Sequence, residues 1–399
     1  LKDKLFIFFK YLSEYSLYGL LFFLAISNAL VEIFMVLTLI GFIGRKIIKP
    51  DFSFLKFRPN IFLLFFFLFS AFSLSNSGAH LKISLNALFG KWSQYLGICF
   101  VIQDGIYDQK IIKRGMVIFL FGATLAVLSG LSQYFFNIEF LRNKSISNLD
   151  IGLRAASSSF SHYNDFGGYL VVVLSLVAAL LLANNYFAPK IKSLSALAVL
   201  STLAIIFTFS RGSWLAMSIS FIFIAILSRK NLKRLIPVFL VVIIFFLFPM
   251  LHERLFLTFK TGGDSDRFRY WLAAWKMINA HPFFGMGAGT FMANFSKYLP
   301  SVNVSYAHNC YLQIWAETGF FALFSFVGFM VSVVYLGIKK FIVSKDFLLL
   351  GLLSGAVGFL AHSFFDTNLY SLRLAILFWV WVGLIIARLH IKEKRSCKL

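Results

Sequence analysis

The stretch 165–184, DFGGYLVVVLSLVAALLLAN, decides the class of this chain. From Tyr169 to Leu182 it carries no charge, and Ser175 is its only polar side chain apart from the Tyr169 hydroxyl. A helix needs about 20 mostly apolar residues to cross a bilayer core. A run that is apolar on every side has no solvated face of the kind a surface helix needs. Comparable runs extend outward in both directions. Before it they lie near 15–28, 30–44, 60–76, 88–104 and 115–135; after it, near 193–209, 212–228, 234–250, 309–335, 347–364 and 370–388. The expected fold is therefore an all-α polytopic membrane protein of about twelve transmembrane helices. The first two runs are close enough to form a tight hairpin or one long helix. Composition agrees: the chain is 59% hydrophobic and 14% charged, with 52 Phe. Soluble domains run nearer 45–50% and about 25%. This excludes a soluble enzyme, a disordered chain and a disulfide-rich secreted domain.

The formal charge is +22, from 38 Lys and Arg against 16 Asp and Glu. In a soluble chain that balance would suggest nucleic acid. Here the basic residues concentrate in alternate short connections, at 45–58, 105–114, 185–192, 229–234 and 336–346, and at both ends. That pattern follows the positive-inside rule and favours anionic membrane lipids, with no nucleic acid expected as partner. Lys2, Lys4 and Lys10 precede an apolar run as in a signal peptide. Many spans follow and no small-residue cleavage site is apparent, so an uncleaved first span is expected. Cys99, Cys310 and Cys397 form no CxxC spacing, which argues against a disulfide framework or a zinc site.

This orientation leaves two long connections outside, 136–164 and 251–308, and loops of such length are usually functional or disordered. In the second, Asp266 can cap a helix over about 267–280, before Pro282. Phe268, Trp271, Leu272, Trp275 and Ile278 recur at three- and four-residue spacing, as in an amphipathic helix lying at the membrane interface.

Arg211 stands in Ser210-Arg211-Gly212-Ser213, between two apolar runs with almost no loop. A charge there either marks a helix end by snorkelling or faces a polar cavity as an anion contact. Arg267 shares a helix face with Trp271, and with Arg269 it opposes the helix dipole at the first turn. Arg154 precedes a Ser-rich run ending in His162-Tyr163-Asn164. His308-Asn309 lies where the long loop meets the next span, and Glu317 is an intramembrane carboxylate that needs a partner. His362 and Asp366 are one turn apart and are expected to form a hydrogen-bonded pair. Asp264-Ser265-Asp266 has a metal-binding DxD form, but capping is the expected role of Asp266. Gly285-Met286-Gly287-Ala288-Gly289 follows no strand, so it reads as a tight turn or an anion nest.

Guanidinium groups recognise phosphate oxygens bidentately. Arginines and one histidine at the outer membrane surface suit a lipid-diphosphate donor, whose leaving group needs charge neutralisation rather than a general acid. A neutral imidazole could take the proton of the attacking hydroxyl. No metal or other cofactor is needed.

At these residues the chain resembles the O-antigen ligase/polymerase superfamily of bacterial membrane proteins. The resemblance runs over about 154–385: RAASSSFSHYN at 154–164, SRG at 210–212, DRFRYWLAAWKMINAHPFFGMGAGTF at 266–291, HNCYLQIWAETGFF at 308–321 and HSFFDT at 362–367. It implies a GT-C-like bundle of about twelve helices with a large periplasmic loop containing interfacial helices. The implied division is 1–150 as N-terminal transmembrane helices, 151–390 as the ligase-like catalytic region including loop 251–308, and 391–399 as a basic cytoplasmic tail. It further implies a metal-independent, inverting transfer of a glycan from undecaprenyl diphosphate to lipid A-core, at the periplasmic face of the bacterial inner membrane. His308 then matches the general base, Arg211 and Arg267 the diphosphate-binding arginines, and Arg154 a further one. Asn309, Glu317, His362 and Asp366 support them. One departure from the ligase pattern is Ala322, where a second Gly would follow Gly319. Polymerisation of carrier-linked glycan and protein O-glycosylation share the donor chemistry, and a transporter with an anion pathway is the reading of a different class.

Overall fold

The computed structural model describes residues 1–106, 108–148, 154–183, 191–228, 265–300 and 305–391. The expected span 234–250, Asp264 and nearly all of the basic tail lie outside them.

Helices α1 (Lys2–Phe23) and α2 (Asn28–Ile48) form an antiparallel hairpin. Its glycines set the approach: a Cβ on Gly41 would lie 2.6 Å from the Ser13 amide nitrogen. Next come α3 (Asn60–Phe72), a short α4 (Leu81–Leu85), a π-helical turn over Asn86–Trp92, α5 (Ser93–Gly105) and α6 (Gln109–Phe136). A two-residue strand pair follows, Ser147–Asn148 against Arg154–Ala155. Then come α7 (Tyr163–Leu182), α8 (Ile191–Phe207), α9 (Arg211–Ser228), α10 (Ser265–Ala280) and α11 (Phe291–Tyr298). The chain closes with α12 (Cys310–Ser344), α13 (Phe347–His362) and α14 (Leu372–His390).

The run that is apolar on all sides becomes the centre of the bundle. Helix α7 packs against α8, α9, α13 and α14, and its most apolar eighteen residues are 94% buried. Outer helices behave oppositely. Ile222 and Ile226 of α9, and Phe324, Val331 and Tyr335 of α12, are each about 60% exposed. Continuous apolar surface of this kind suits lipid rather than water. Among the described residues five helices are long and apolar enough to cross a membrane: α6, α7, α9, α12 and α14. The protein is thus an all-α, multi-pass membrane protein. Each of the other expected runs within the described residues also contains helix, but several of these helices are short, so a count of twelve spans is not carried.

Polar contacts pin the bundle at its ends. At the end holding the C-termini of α2, α5 and α14, Asp104 accepts from Arg45 at 3.0 Å and Lys46 at 2.6 Å, and Asp346 pairs with Arg388. The opposite end gathers the starts of α7, α9, α12 and α14 and the finish of α13.

Candidate functional site

Two turns and a kinked loop converge at that second end. Phe209 has φ +52°, which reverses the chain between α8 and α9 in a single residue. Arg211 is consequently the first residue of α9. Before α12 the chain turns at His308, φ +47°, and Asn309 caps the helix by accepting from the Tyr311 and Leu312 amides at 3.0 and 3.1 Å. A non-glycine residue in this left-handed region costs on the order of 1–3 kcal/mol, and such strain clusters at functional sites. The Cys310 amide donates to the Ser363 carbonyl at 2.8 Å, which draws the start of α12 onto the end of α13.

Here the expected pairing of His362 with Asp366 fails. Helix α13 ends at His362, so Asp366 lies past the helix and the one-turn spacing no longer puts the two side chains on a common face. Asp366 faces His308 instead, with Oδ1 3.3 Å from Nδ1. His362 faces the SRGS turn. The Asn368 amide donates to its Nδ1 at 3.3 Å, which leaves Nε2–H to donate to the Ser213 hydroxyl at 3.0 Å. The helices approach closely here: a Cβ on Gly167 would sit 2.2 Å from the Ser213 hydroxyl oxygen, and one on Gly168 3.1 Å from His362.

Asp366 is almost fully buried. Burial alone would raise its pKa, but the hydrogen bond from His308, the charges of His362 and His308 and the Thr367 amide more than reverse this. The carboxyl is held well below its usual range. With Asp366 ionised, His308 donates through Nδ1–H, so Nε2 is the basic nitrogen. The His308 side chain is 30% exposed, and the Ser305 hydroxyl lies 3.3 Å from Nε2. The Tyr270 ring, from α10, flanks the imidazole at 5.7 Å between centroids.

Arg267 begins the same helix as Tyr270, and its charge bears on both His162 and His362. His162 also feels Asp366 and His308. The segments 210–213, 308–309 and 362–366 are thus brought together, with Arg267 within electrostatic reach. Arg154 is exposed on its strand and makes no hydrogen bond or ion pair to this cluster among the described residues. Helix α10 starts at Ser265, so Asp266 lies inside its first turn rather than before it. Its expected apolar stripe divides: Phe268, Leu272 and Trp275 remain exposed, whereas Ile278 joins Ala273, Ala274 and Met277 in a small core against α11 and α12.

Glu317 serves a separate structure. Helix α12 breaks at Gly319, φ +83°, where a Cβ would lie 2.1 Å from the Phe283 carbonyl oxygen. The loop 282–291 clips into this break. The Met286 and Gly287 amides donate to the Ala316 and Glu317 carbonyls at 3.0 and 2.9 Å, and Phe320 donates back to Pro282 at 2.9 Å. The Glu317 carboxylate then accepts from the Gly289 and Phe291 amides, the Gln313 amide and the Tyr370 hydroxyl at 2.8–3.2 Å. The glycine-rich loop is indeed an anion nest, but its anion is the chain's own carboxylate. Glu317 touches neither His308 nor an arginine among the described residues. Ala322 lies in regular helix beyond the break, where a Cβ is harmless.

Reasoning from sequence missed Asp366 as the partner of His308, because 58 residues separate them. It also gave no role to His162 or Tyr370, which carry no motif of their own. Chemically, the cluster offers a basic nitrogen backed by a buried carboxylate. Arg267 bears on it electrostatically, the backbone of Arg211 lies in the adjoining turn, and the helix starts gathered at this end turn the positive ends of their dipoles toward it.

Residues 196–327 match the family model described as O-Antigen ligase. This segment, about a third of the chain, holds Arg211, Arg267, His308 and Glu317, and over it the chain is similar to that family. None of the curated proteins compared with the chain matches it.

Proposed function

Taking the chain as a member of the O-antigen ligase superfamily, we propose that it transfers a glycan from undecaprenyl diphosphate to a hydroxyl of lipid A-core, at the periplasmic face of the bacterial inner membrane. The donor's diphosphate lies at the headgroup plane, against Arg211, Arg267 and the gathered helix N-termini. An acceptor hydroxyl takes the position next to His308 Nε2 that Ser305 occupies here. As its oxygen bonds to the anomeric carbon, its proton passes to Nε2 and the bond to the diphosphate breaks, the electron pair leaving with the phosphate oxygen. Asp366 stabilises the imidazolium that forms, as an orienting carboxylate does for other histidine bases. The guanidinium groups and helix dipoles neutralise the departing charge, so the reaction as proposed uses no metal. Arg154, exposed on its strand, is given no part in this reading of the donor site.

The observation that carries this reading is the His308–Asp366 contact at 3.3 Å, made by a histidine whose side chain stays partly exposed and whose Nε2 meets only the Ser305 hydroxyl among the described residues. The test is reconstitution of the purified chain with lipid-linked glycan and alternative acceptors. Glycan on lipid A-core is the expected product. Lengthened carrier-linked glycan would make the protein a polymerase, and glycan on a protein hydroxyl would make it a protein glycosyltransferase. No transfer to any acceptor would overturn the reading.

A further inference from the structure

Beside the Glu317 latch lies a cavity of about 140 Å³ whose second wall is the π-helical turn Asn86–Trp92. A π turn inserts an extra residue into the helical ladder, and such turns recur at functional sites. This one is held firmly. Gly289 of the latch abuts Ala87, where a Cβ would come within 2.6 Å, and Trp92 stacks on Phe66 at 5.4 Å. The Trp92 ring in turn meets Tyr370 at 6.2 Å, and Tyr370 meets Tyr306 at 6.3 Å. With Tyr95, four aromatic rings therefore border one small space.

Its polar groups are few and set around those rings. Tyr370 donates to Glu317, so its oxygen can still accept. Gln313 spends its carbonyl on the Ala307 amide and one N–H on Glu317, which leaves the other N–H. Lys91 stands exposed at the mouth and makes no ion pair among the described residues.

We propose that this cavity is a subsite for one pyranose ring of a glycan substrate, next to the sugar that reacts. This rests on the glycan-transfer reading above. A cavity of about 150 Å³ admits a six-membered ring. The apolar face of a sugar suits aromatic walls, and its rim of hydroxyls suits the free phenol, amide and ammonium groups. An acyl chain would leave those groups unpaired, at a cost of roughly 1–3 kcal/mol each. A diphosphate would meet the Glu317 carboxylate with a single ammonium in compensation. Tyr306 is two residues before His308, a reach of at most about 7 Å along the chain. That spacing sets the occupant beside the reacting centre, as a neighbouring sugar of either the donor or the acceptor.

Lys91→Ala and Tyr306→Ala, both exposed at the mouth, test the proposal in the reconstituted full chain. Each is expected to raise KM about tenfold for one glycan substrate, the loss of roughly one hydrogen bond to a charged or aromatic partner, with kcat within about threefold. The melting temperature in detergent stays unchanged. An increase in the donor KM assigns the ring to the donor glycan, and an increase in the acceptor KM assigns it to the acceptor. A second measurement is independent of turnover: saturation-transfer difference NMR of the glycan released from its carrier lipid, and of delipidated core oligosaccharide, against the His308→Ala protein. One of the two shows signals that vanish when Lys91→Ala and Tyr306→Ala are added. Unchanged KM for both substrates together with unchanged NMR signals would overturn the subsite. If the wild-type chain transfers nothing, the transfer reading fails and the NMR arm alone decides the subsite.

Discussion

Glu317 and Asp366 are both carboxylates buried at the same end of the bundle, and they are used in opposite ways. Glu317 spends its oxygens on two main-chain amides, a side-chain amide and a phenol, and so closes a loop onto a broken helix. Asp366 takes one main-chain amide and turns its remaining charge on an imidazole that stays partly exposed. A carboxylate saturated by its own chain fixes shape; one that leaves charge for a titratable partner can take part in proton transfer. Mutations should therefore separate cleanly, Asp366 and His308 acting on rate and Glu317 on folding.

The largest effect is expected at His308. His308→Gln keeps the size and polarity of the side chain but removes the base, and transfer should fall by about 10³–10⁴-fold, near the upper range for general-base removal. Membrane insertion and the melting temperature should be unchanged; normal transfer would remove His308 from the mechanism. Asp366→Asn comes next, with kcat reduced about 100-fold. This variant also carries a pH signature. Burial opposes ionisation of Asp366, but the His308 hydrogen bond and the charges of both histidines lower its pKa overall. Its stabilising contribution is therefore complete above the unfolded carboxyl value, about 3.9, and is lost only as pH falls through the lower folded value. The difference in melting temperature between wild type and Asp366→Asn should not shrink between about pH 8 and about pH 5. A difference that changes in that window would mean a folded carboxyl raised into it, opposite to the lowering described here.

Arg211→Lys tests the anion contact. Lys keeps the charge and loses the bidentate fork, so kcat/KM for the lipid-linked donor should drop about tenfold. Wild-type rates would make Arg211 a helix-end anchor. The smallest effect on rate is expected at Glu317. Glu317→Gln preserves the outline but weakens charge-assisted bonds to the Gly289 and Phe291 amides, so stability should fall by about 1–3 kcal/mol. Transfer per folded molecule should stay within about threefold, read by activity normalised to monodisperse protein. A large loss of rate at unchanged stability would erase the contrast between the two carboxylates.

Much of this architecture was legible in the linear sequence, because lipid imposes a rule that acts locally. A run such as Tyr169–Leu182 must satisfy its backbone internally, so helix is forced wherever the side chains are apolar for long enough. The end-of-helix positions of Arg211 and His308 followed from the same rule, since a charge interrupts the run. The partnerships did not follow. Spacing suggested His362 with Asp366, but the helix stops at His362 and the carboxylate turns to a residue 58 positions away. Nor does Gly319 look different from any glycine in an apolar run; its left-handed φ is required only because residues 282–289, some thirty positions earlier, pack into the break. The stripe on α10 was visible but mis-divided, because periodicity gives a face without saying which neighbour covers it. The π turn at Asn86–Trp92 left no trace in hydropathy at all.

The measurement that tests the account most directly is a double-mutant cycle on transfer rate between His308 and Asp366. If Asp366 acts through the imidazole, Asp366→Asn costs about 100-fold in the wild-type background and nothing further once His308 is Ala. Losses that multiply in the double variant would show the two side chains acting independently, and the proposed proton path between them would fall.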